Sequence, residues 1–225
     1  LREVIGPFLT ATRIVERRFI VPKNATLPPI IRILALVFFI PCLIGLSGCA
    51  TSPLIRDANN PYGAQRPYGR HPGIDFIVSI GTPVIAPADG KVTEIRKFEG
   101  SQPWQGGWIV RVSHADQSHS QYLHLSEIYI ELGQSLTRGQ LIGLSGAPNG
   151  GKAHLHFCIC ASAGRCIDFS ETLDPDNFWL GGTPQCFKPG YDYSANSQRE
   201  LTLPLACGDY AQELIARIKT TGSKR

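Results

Sequence analysis

His154-Leu155-His156-Phe157 is the stretch whose reading decides the fold. Residues two apart in a strand point to the same face. This run therefore sets two imidazoles on one side and Leu155 and Phe157 on the other, one side for chemistry and one for a core. One imidazole can bind a metal while the other faces the same reaction volume unbound. Far upstream lies His71-Pro72-Gly73-Ile74-Asp75. On a helix its His and Asp would share a face, but Pro72 and Gly73 make a helix poor there. The reading is a tight turn entering a strand over 75–80. Between the two stretches, Tyr122-Leu123-His124-Leu125 sits in a strand-like run over 121–126 and brings another imidazole. A hydrolytic zinc site needs three protein ligands and one open position, and imidazole nitrogen and carboxylate oxygen are suitable donors.

Two further pieces share this order, Gly81-Thr82-Pro83-Val84-Ile85-Ala86-Pro87-Ala88-Asp89-Gly90 and Gly133-Gln134 followed by Gly139-Gln140-Leu141-Ile142-Gly143. With His71-x-Gly73-x-Asp75, Tyr122-x-His124-Leu125 and His154-Leu155-His156-Phe157, the run from about 61 to 178 resembles the lysostaphin-type (LytM-type) zinc metallopeptidases, which cut peptidoglycan. The resemblance implies a Zn2+ cofactor held by His71, Asp75 and His156. It implies His124 and His154 as the unbound catalytic pair, one taking a proton from water and the other stabilising the oxyanion or protonating the leaving amine. Which does which stays open. It also implies an active-site Tyr upstream of the first ligand; Tyr62 and Tyr68 are both candidates, and spacing does not choose. The expected fold is mostly β, with antiparallel sheets forming a small open barrel or sandwich and a Zn site in a groove. A C-terminal extension with one helix is expected to follow. The residue after His-Leu-His-Phe is often Glu in that family and is Cys158 here. By strand alternation Cys158 shares a face with His156; it is read as a disulfide partner or a small buried residue ahead of a metal ligand.

Composition agrees with an all-β domain, since 23 Gly and 17 Pro supply many turns. The formal charge of +4 resides in residues 1–49, which carry six basic and two acidic groups. The rest holds sixteen of each, so no basic surface for nucleic acid is expected. The chain contains no Met and starts at Leu1, so residue 1 is expected to be a fragment end or a non-standard start, and whether 1–26 is native stays open.

Residues 33–46 form an apolar run behind Arg32, of signal-peptide length and short for a membrane span of roughly 20 residues. Leu46-Ser47-Gly48-Cys49 follows and resembles a bacterial lipobox, in which Cys49 is lipidated. Ala50 in place of Asp points to the outer membrane, facing the periplasm. The expected organisation is a leader with a lipoprotein-type signal over 1–49 and a tether over 50–60. A metallopeptidase domain over 61–179 and the extension over 180–225 complete it. The expected partners are peptidoglycan, the membrane through a lipid anchor, and envelope proteins.

Strands are expected at 83–86 and 91–95 around Asp89-Gly90, a hairpin signal. Others are expected at 108–113, 128–132 and 140–144. Trp104, in the loop over 99–107, is a candidate groove-lining residue as well as a packing one. His114 and His119 match no ligand position and are read as exposed or structural. Ala211, Leu214, Ile215 and Ile218 form the stripe of a terminal helix over 209–221, with Asp209 as N-cap and Gly222 as C-cap. An exported protein permits disulfides. The expected pairs are Cys160–Cys166 and Cys186–Cys207, leaving Cys158 free. Gly143-Leu144-Ser145-Gly146-Ala147 lacks the last Gly of a serine-hydrolase elbow. The alternative to a zinc endopeptidase is a non-catalytic envelope regulator that activates another cell-wall hydrolase. Retention of all five residues, His71, Asp75, His124, His154 and His156, argues against it. A lipoyl- or sugar-phosphotransfer-like hybrid barrel would need a cytosolic setting, which the export signal contradicts.

Overall fold

The computed structural model describes residues 55–161, 166, 168–194 and 200–221. The expected leader, the expected lipidation site Cys49, the start of the expected tether and Gly222 lie outside the described residues. Among the described residues twelve strands run in chain order: β1 (Ile55–Arg56), β2 (Gln65–Arg66), β3 (Gly69–Arg70), β4 (Ile74–Ile77), β5 (Pro83–Ile85), β6 (Gly90–Lys97), β7 (Trp108–Ser113), β8 (His119–Ile128), β9 (Ser135–Leu136), β10 (Leu141–Ser145), β11 (Leu155–Cys160) and β12 (Thr172–Leu173). One α-helix among the described residues, α1 (Gly208–Thr221), follows.

Ten strands form one antiparallel sheet in the order β1-β4-β11-β8-β7-β6-β9, with β10 joining β8 to β5 and β12 on β11. The sheet is open at β1 and β9. β2 and β3 form a separate hairpin. In β11 the alternation is strict. Leu155, Phe157 and Ile159 enter the main core. Cys158 and Cys160 face a smaller cluster with Ile109, Leu123 and Cys166. β4 sends Ile74 and Phe76 into the main core, which leaves Asp75 on the opposite face.

The β8 strand breaks this rule. Tyr122 and Leu125 both belong to the main core, although strict alternation would put them on opposite faces. Against β7, Trp108 pairs with Leu125 and Val110 with Tyr122, so β8 carries one extra residue. His124 has a φ of 65° within this bulge. A bulge re-aims a side chain; here it swings His124 out of the core, where alternation with Tyr122 would have put it.

The extension is built into the domain. Leu201, Leu203 and Leu205 are buried in the main core. Leu205 bridges to Val84, and Ile85 donates its N–H to the Pro204 carbonyl. In α1 the Ala211, Leu214, Ile215 and Ile218 stripe faces inward, and Leu214 packs with Ile85 and Ala206.

Four local expectations need correction. The strand expected over 75–80 ends at Ile77, and Ile80 is exposed. No strand runs over 128–132; Ile128 instead closes β8. The 83–86 and 91–95 strands do not form a hairpin. β5 pairs with β10 and β6 with β7. Pro87 offers no N–H for a hairpin ladder, and Ala86 exchanges both backbone hydrogen bonds with Gly139 and Gln140. Asp209 lies inside the first turn of α1, so it is not the N-cap.

Candidate metal centre

Asp75 on β4 and His156 on β11 are direct cross-strand partners, which sets two donors side by side. His71 joins them from the turn that enters β4. Gly73 lets this turn lie flat on β11. A Cβ there would collide with the Phe157 carbonyl and crowd the Cys158 Cβ at 2.9 Å. All three side chains are buried.

Their donor atoms converge. His71 Nε2 lies 3.1 Å from His156 Nδ1 and 3.3 Å from Asp75 Oδ1, and His156 Nδ1 lies 2.8 Å from Asp75 Oδ1. Ligands about 2.0–2.1 Å from a tetrahedral zinc stand roughly 3.3 Å apart, so the donor set fits. The surroundings orient it. His71 Nδ1 faces the carbonyls of Asn60 and Pro61, at 2.8 and 3.1 Å. It therefore carries the proton and leaves the Nε2 lone pair on the centre. Asp75 Oδ2 accepts from Asn60 Nδ2 and Arg66 Nη2, each at 2.7 Å, leaving Oδ1 inward.

Protonation is also set for a metal. Burial pushes the Asp75 carboxyl up, but the His156 and His71 imidazoles beside it overcome this and hold the group well below the carboxylate range. Burial pushes the His156 imidazole down, against the pull of Asp75. An ionised carboxylate and a neutral imidazole are the forms that ligate.

His124 and His154 flank the centre, with ring centroids 4.8 Å apart. Each is tethered through Nδ1, His124 to the Gly106 carbonyl at 3.0 Å and His154 to the Lys152 carbonyl at 2.8 Å. Each therefore presents Nε2, and that of His154 lies 3.7 Å from Asp75 Oδ1. Burial pushes the His124 imidazole down to about 3, so it is neutral near pH 7 and its Nε2 is an acceptor. The His124 backbone is seated against Gly107, whose φ is 78°.

A groove of about 190 Å³ opens onto His124 and His156. Tyr68, at the tip of the β2–β3 hairpin, packs on Trp104 with tilted rings whose centroids are 3.7 Å apart, and both line the groove. Tyr62 lies elsewhere. Its hydroxyl bonds to Thr172, and its ring packs on Phe169. Arg66 and Asn60, which hold Asp75, went unread in the sequence. They precede the motif, and no local pattern marks them.

Cys160–Cys166 and Cys186–Cys207 are bonded, with Cα atoms 5.5 and 5.9 Å apart. Cys158 is free and buried, and its thiol faces the Cys166 carbonyl at 3.4 Å. Burial raises its pKa, so it stays protonated and stands outside the donor set. His114 is buried between the Asp89 carbonyl and Ser120 Oγ, a packing role. His119 opens β8.

Residues 69–168 match Peptidase family M23. The chain is 39% identical over 121 residues to an uncharacterized metalloprotease of Haemophilus influenzae, covering 49% of this chain and 24% of that protein. It is 42% identical over 90 residues to the peptidoglycan DD-endopeptidase ShyA of Vibrio cholerae, covering 39% of this chain and 19% of ShyA. The chain thus spans a quarter or less of the length of these two curated relatives. Among solved structures, the catalytic domain of lysostaphin from Staphylococcus simulans is 30% identical. That match covers 52% of this chain and 84% of the domain, with a TM-score of 0.43. By the match over 69–168, the chain carries a domain of peptidase family M23.

Proposed function

We propose that the protein is a zinc-dependent endopeptidase that hydrolyses peptide cross-links of bacterial peptidoglycan. One observation carries the reading: three buried donor atoms of His71, Asp75 and His156 lie 2.8–3.3 Å from one another, beside two tethered imidazoles. The peptidoglycan endopeptidase among its relatives supports the substrate class. Zinc bound there would supply Lewis-acid polarisation of the scissile carbonyl and a more acidic water.

His124 and His154 hold and move protons at Nε2, each kept in one tautomer by its carbonyl tether. Tyr68 lies where its hydroxyl can reach a substrate in the groove. Trp104 and Tyr68 offer flat apolar faces to an extended peptide. Arg66 and Asn60 keep Asp75 oriented. The metallopeptidase segment is proposed to span 61–179, with 180–225 completing its core, and to be tethered through a lipidated Cys49 to the outer membrane, facing the periplasm, within reach of envelope proteins.

The test is to incubate the zinc-loaded protein with purified peptidoglycan, with and without a chelator, and to identify products by mass spectrometry. Chelator-sensitive release of cross-link fragments is expected, and the new ends name the bond. No release from zinc-loaded protein on several wall chemistries overturns the reading.

A further inference from the structure

A second cavity lies at the other end of the sheet, against β6 and the β9–β10 turn. It measures about 600 Å³, within the size range of small-ligand sites. Three β-strand spacings separate β6 from β11, roughly 14 Å of sheet. Asp89, Thr137 and Arg138 form one wall, and Phe187, Tyr191 and Tyr193 of the extension form the other.

The aromatic wall is built rigid. The Phe187 ring rests on Gly139, where a Cβ would collide with it. It stacks on Tyr193 at 5.7 Å and packs on Tyr210 at 5.3 Å. The Tyr210 hydroxyl donates to the Gly139 carbonyl, and the Tyr193 hydroxyl accepts the Lys188 N–H. The adjacent Cys186–Cys207 bond ties the segment to the start of α1. Tyr191 meets Tyr193 edge to face at 4.6 Å and remains 56% exposed. Burying that ring contributes little to folding, yet its neighbours fix where it stands.

The polar wall is equally placed. Arg138 lies over the Tyr193 ring at 4.8 Å, and its side chain donates to the Pro87 and Glu200 carbonyls. Two of five guanidinium donors are thus spent. Asp89 Oδ1 accepts the Arg138 backbone N–H at 2.7 Å, and Oδ2 carries no hydrogen bond among the described residues. An apolar ligand would leave Asp89 and Arg138 desolvated and unpaired. A phosphate would meet the Asp89 carboxylate. A neutral sugar suits both walls. Its axial C–H face packs on a ring, its hydroxyls donate to Asp89, and its acetamido oxygen accepts from Arg138.

We propose that this cavity binds an N-acetylated saccharide, with Tyr191 as the stacking ring and Asp89 and Arg138 as the polar contacts. That the saccharide is the glycan strand of the wall, held while a cross-link enters the groove, rests on the proposed endopeptidase function; the binding itself does not.

The test titrates the full protein with tetra-N-acetylchitotetraose by isothermal calorimetry, in the parent chain, Tyr191→Ala and Asp89→Asn. Saturable binding is expected, weakened about tenfold or more in each variant. Tyr191→Ala is also expected to cut a soluble cross-link peptide at the parental rate and intact sacculi several-fold more slowly. Absent binding, or equal binding by all three proteins, overturns the assignment. A protein that binds the tetrasaccharide but cuts nothing sinks the endopeptidase reading and leaves the cavity assigned. One that cuts but does not bind does the reverse.

Discussion

His124 shows how one residue's backbone can decide a site. A non-glycine residue at a φ of 65° is uncommon and strained. The strain is held by Gly107, where a Cβ would stand 2.8 Å from the His124 Cα and carbonyl carbon. Gly107→Ala would also force a side chain onto a φ of 78°. It is expected to cost about 1–3 kcal/mol of stability and to lower hydrolysis while bound zinc stays stoichiometric, read by urea titration, activity and metal content. Ligand and catalytic roles separate in the same assays. His156→Ala is expected to lose zinc and activity together. His154→Ala is expected to keep zinc and lose about 10²–10⁴ in kcat; a parental kcat would remove His154 from the mechanism. His114 gives a pH signature away from the centre. Burial holds its imidazole below the ordinary 6.5, against the pull of the Asp89 carbonyl. The unfolded chain therefore binds this proton at a pH where the folded chain does not. The His114 contribution is full above about 6.5 and is lost as pH falls from there toward the folded value. The urea midpoint should drop between about pH 7 and 5, and less steeply in His114→Gln; identical slopes would refute this.

At the scale of elements, the sequence was clearest where a face is one-sided. The α1 stripe of Ala211, Leu214, Ile215 and Ile218 is legible because a surface helix hides only one side. The β11 alternation is legible for the same reason. The expected β5–β6 hairpin does not form: Asp89-Gly90 is a valid turn signal, but only long-range partners reveal that each flank pairs elsewhere. In the segment 200–206 the Leu201, Leu203, Leu205 alternation is short and interrupted by Pro204, too weak a signal to place it, yet all three complete the core. Leu205→Ala is expected to cost about 2–5 kcal/mol, read as a lower denaturation midpoint. Replacing Cys186 and Cys207 together by Ser is expected to cost about 2–4 kcal/mol, since the bond closes a loop of 21 residues' separation.

At the scale of the molecule, the sheet draws together candidate ligands 81 and 85 residues apart in sequence. Binding only to the folded form, zinc should stabilise the whole domain, by about 2.7 kcal/mol at a free concentration one hundred times Kd. A calorimetric scan with and without zinc checks this. His71→Ala should show no shift, and an undiminished shift would place the metal elsewhere. What the sequence determined by itself is the candidate site residues and their order, His71, Asp75, His124, His154 and His156, the strand alternation at β11, and the terminal helix. These are short-range properties, readable because residue type and periods of two and 3.6 travel with the chain. Only the tertiary structure decided three other things. They are the turning of His124 into the groove, the choice of Tyr68 over Tyr62 beside it, and the seating of Arg66 and Asn60 on Asp75. Each depends on a bulge, a hairpin tip or a hydrogen bond formed across strands, and contacts between distant segments leave no local mark on the residues that make them.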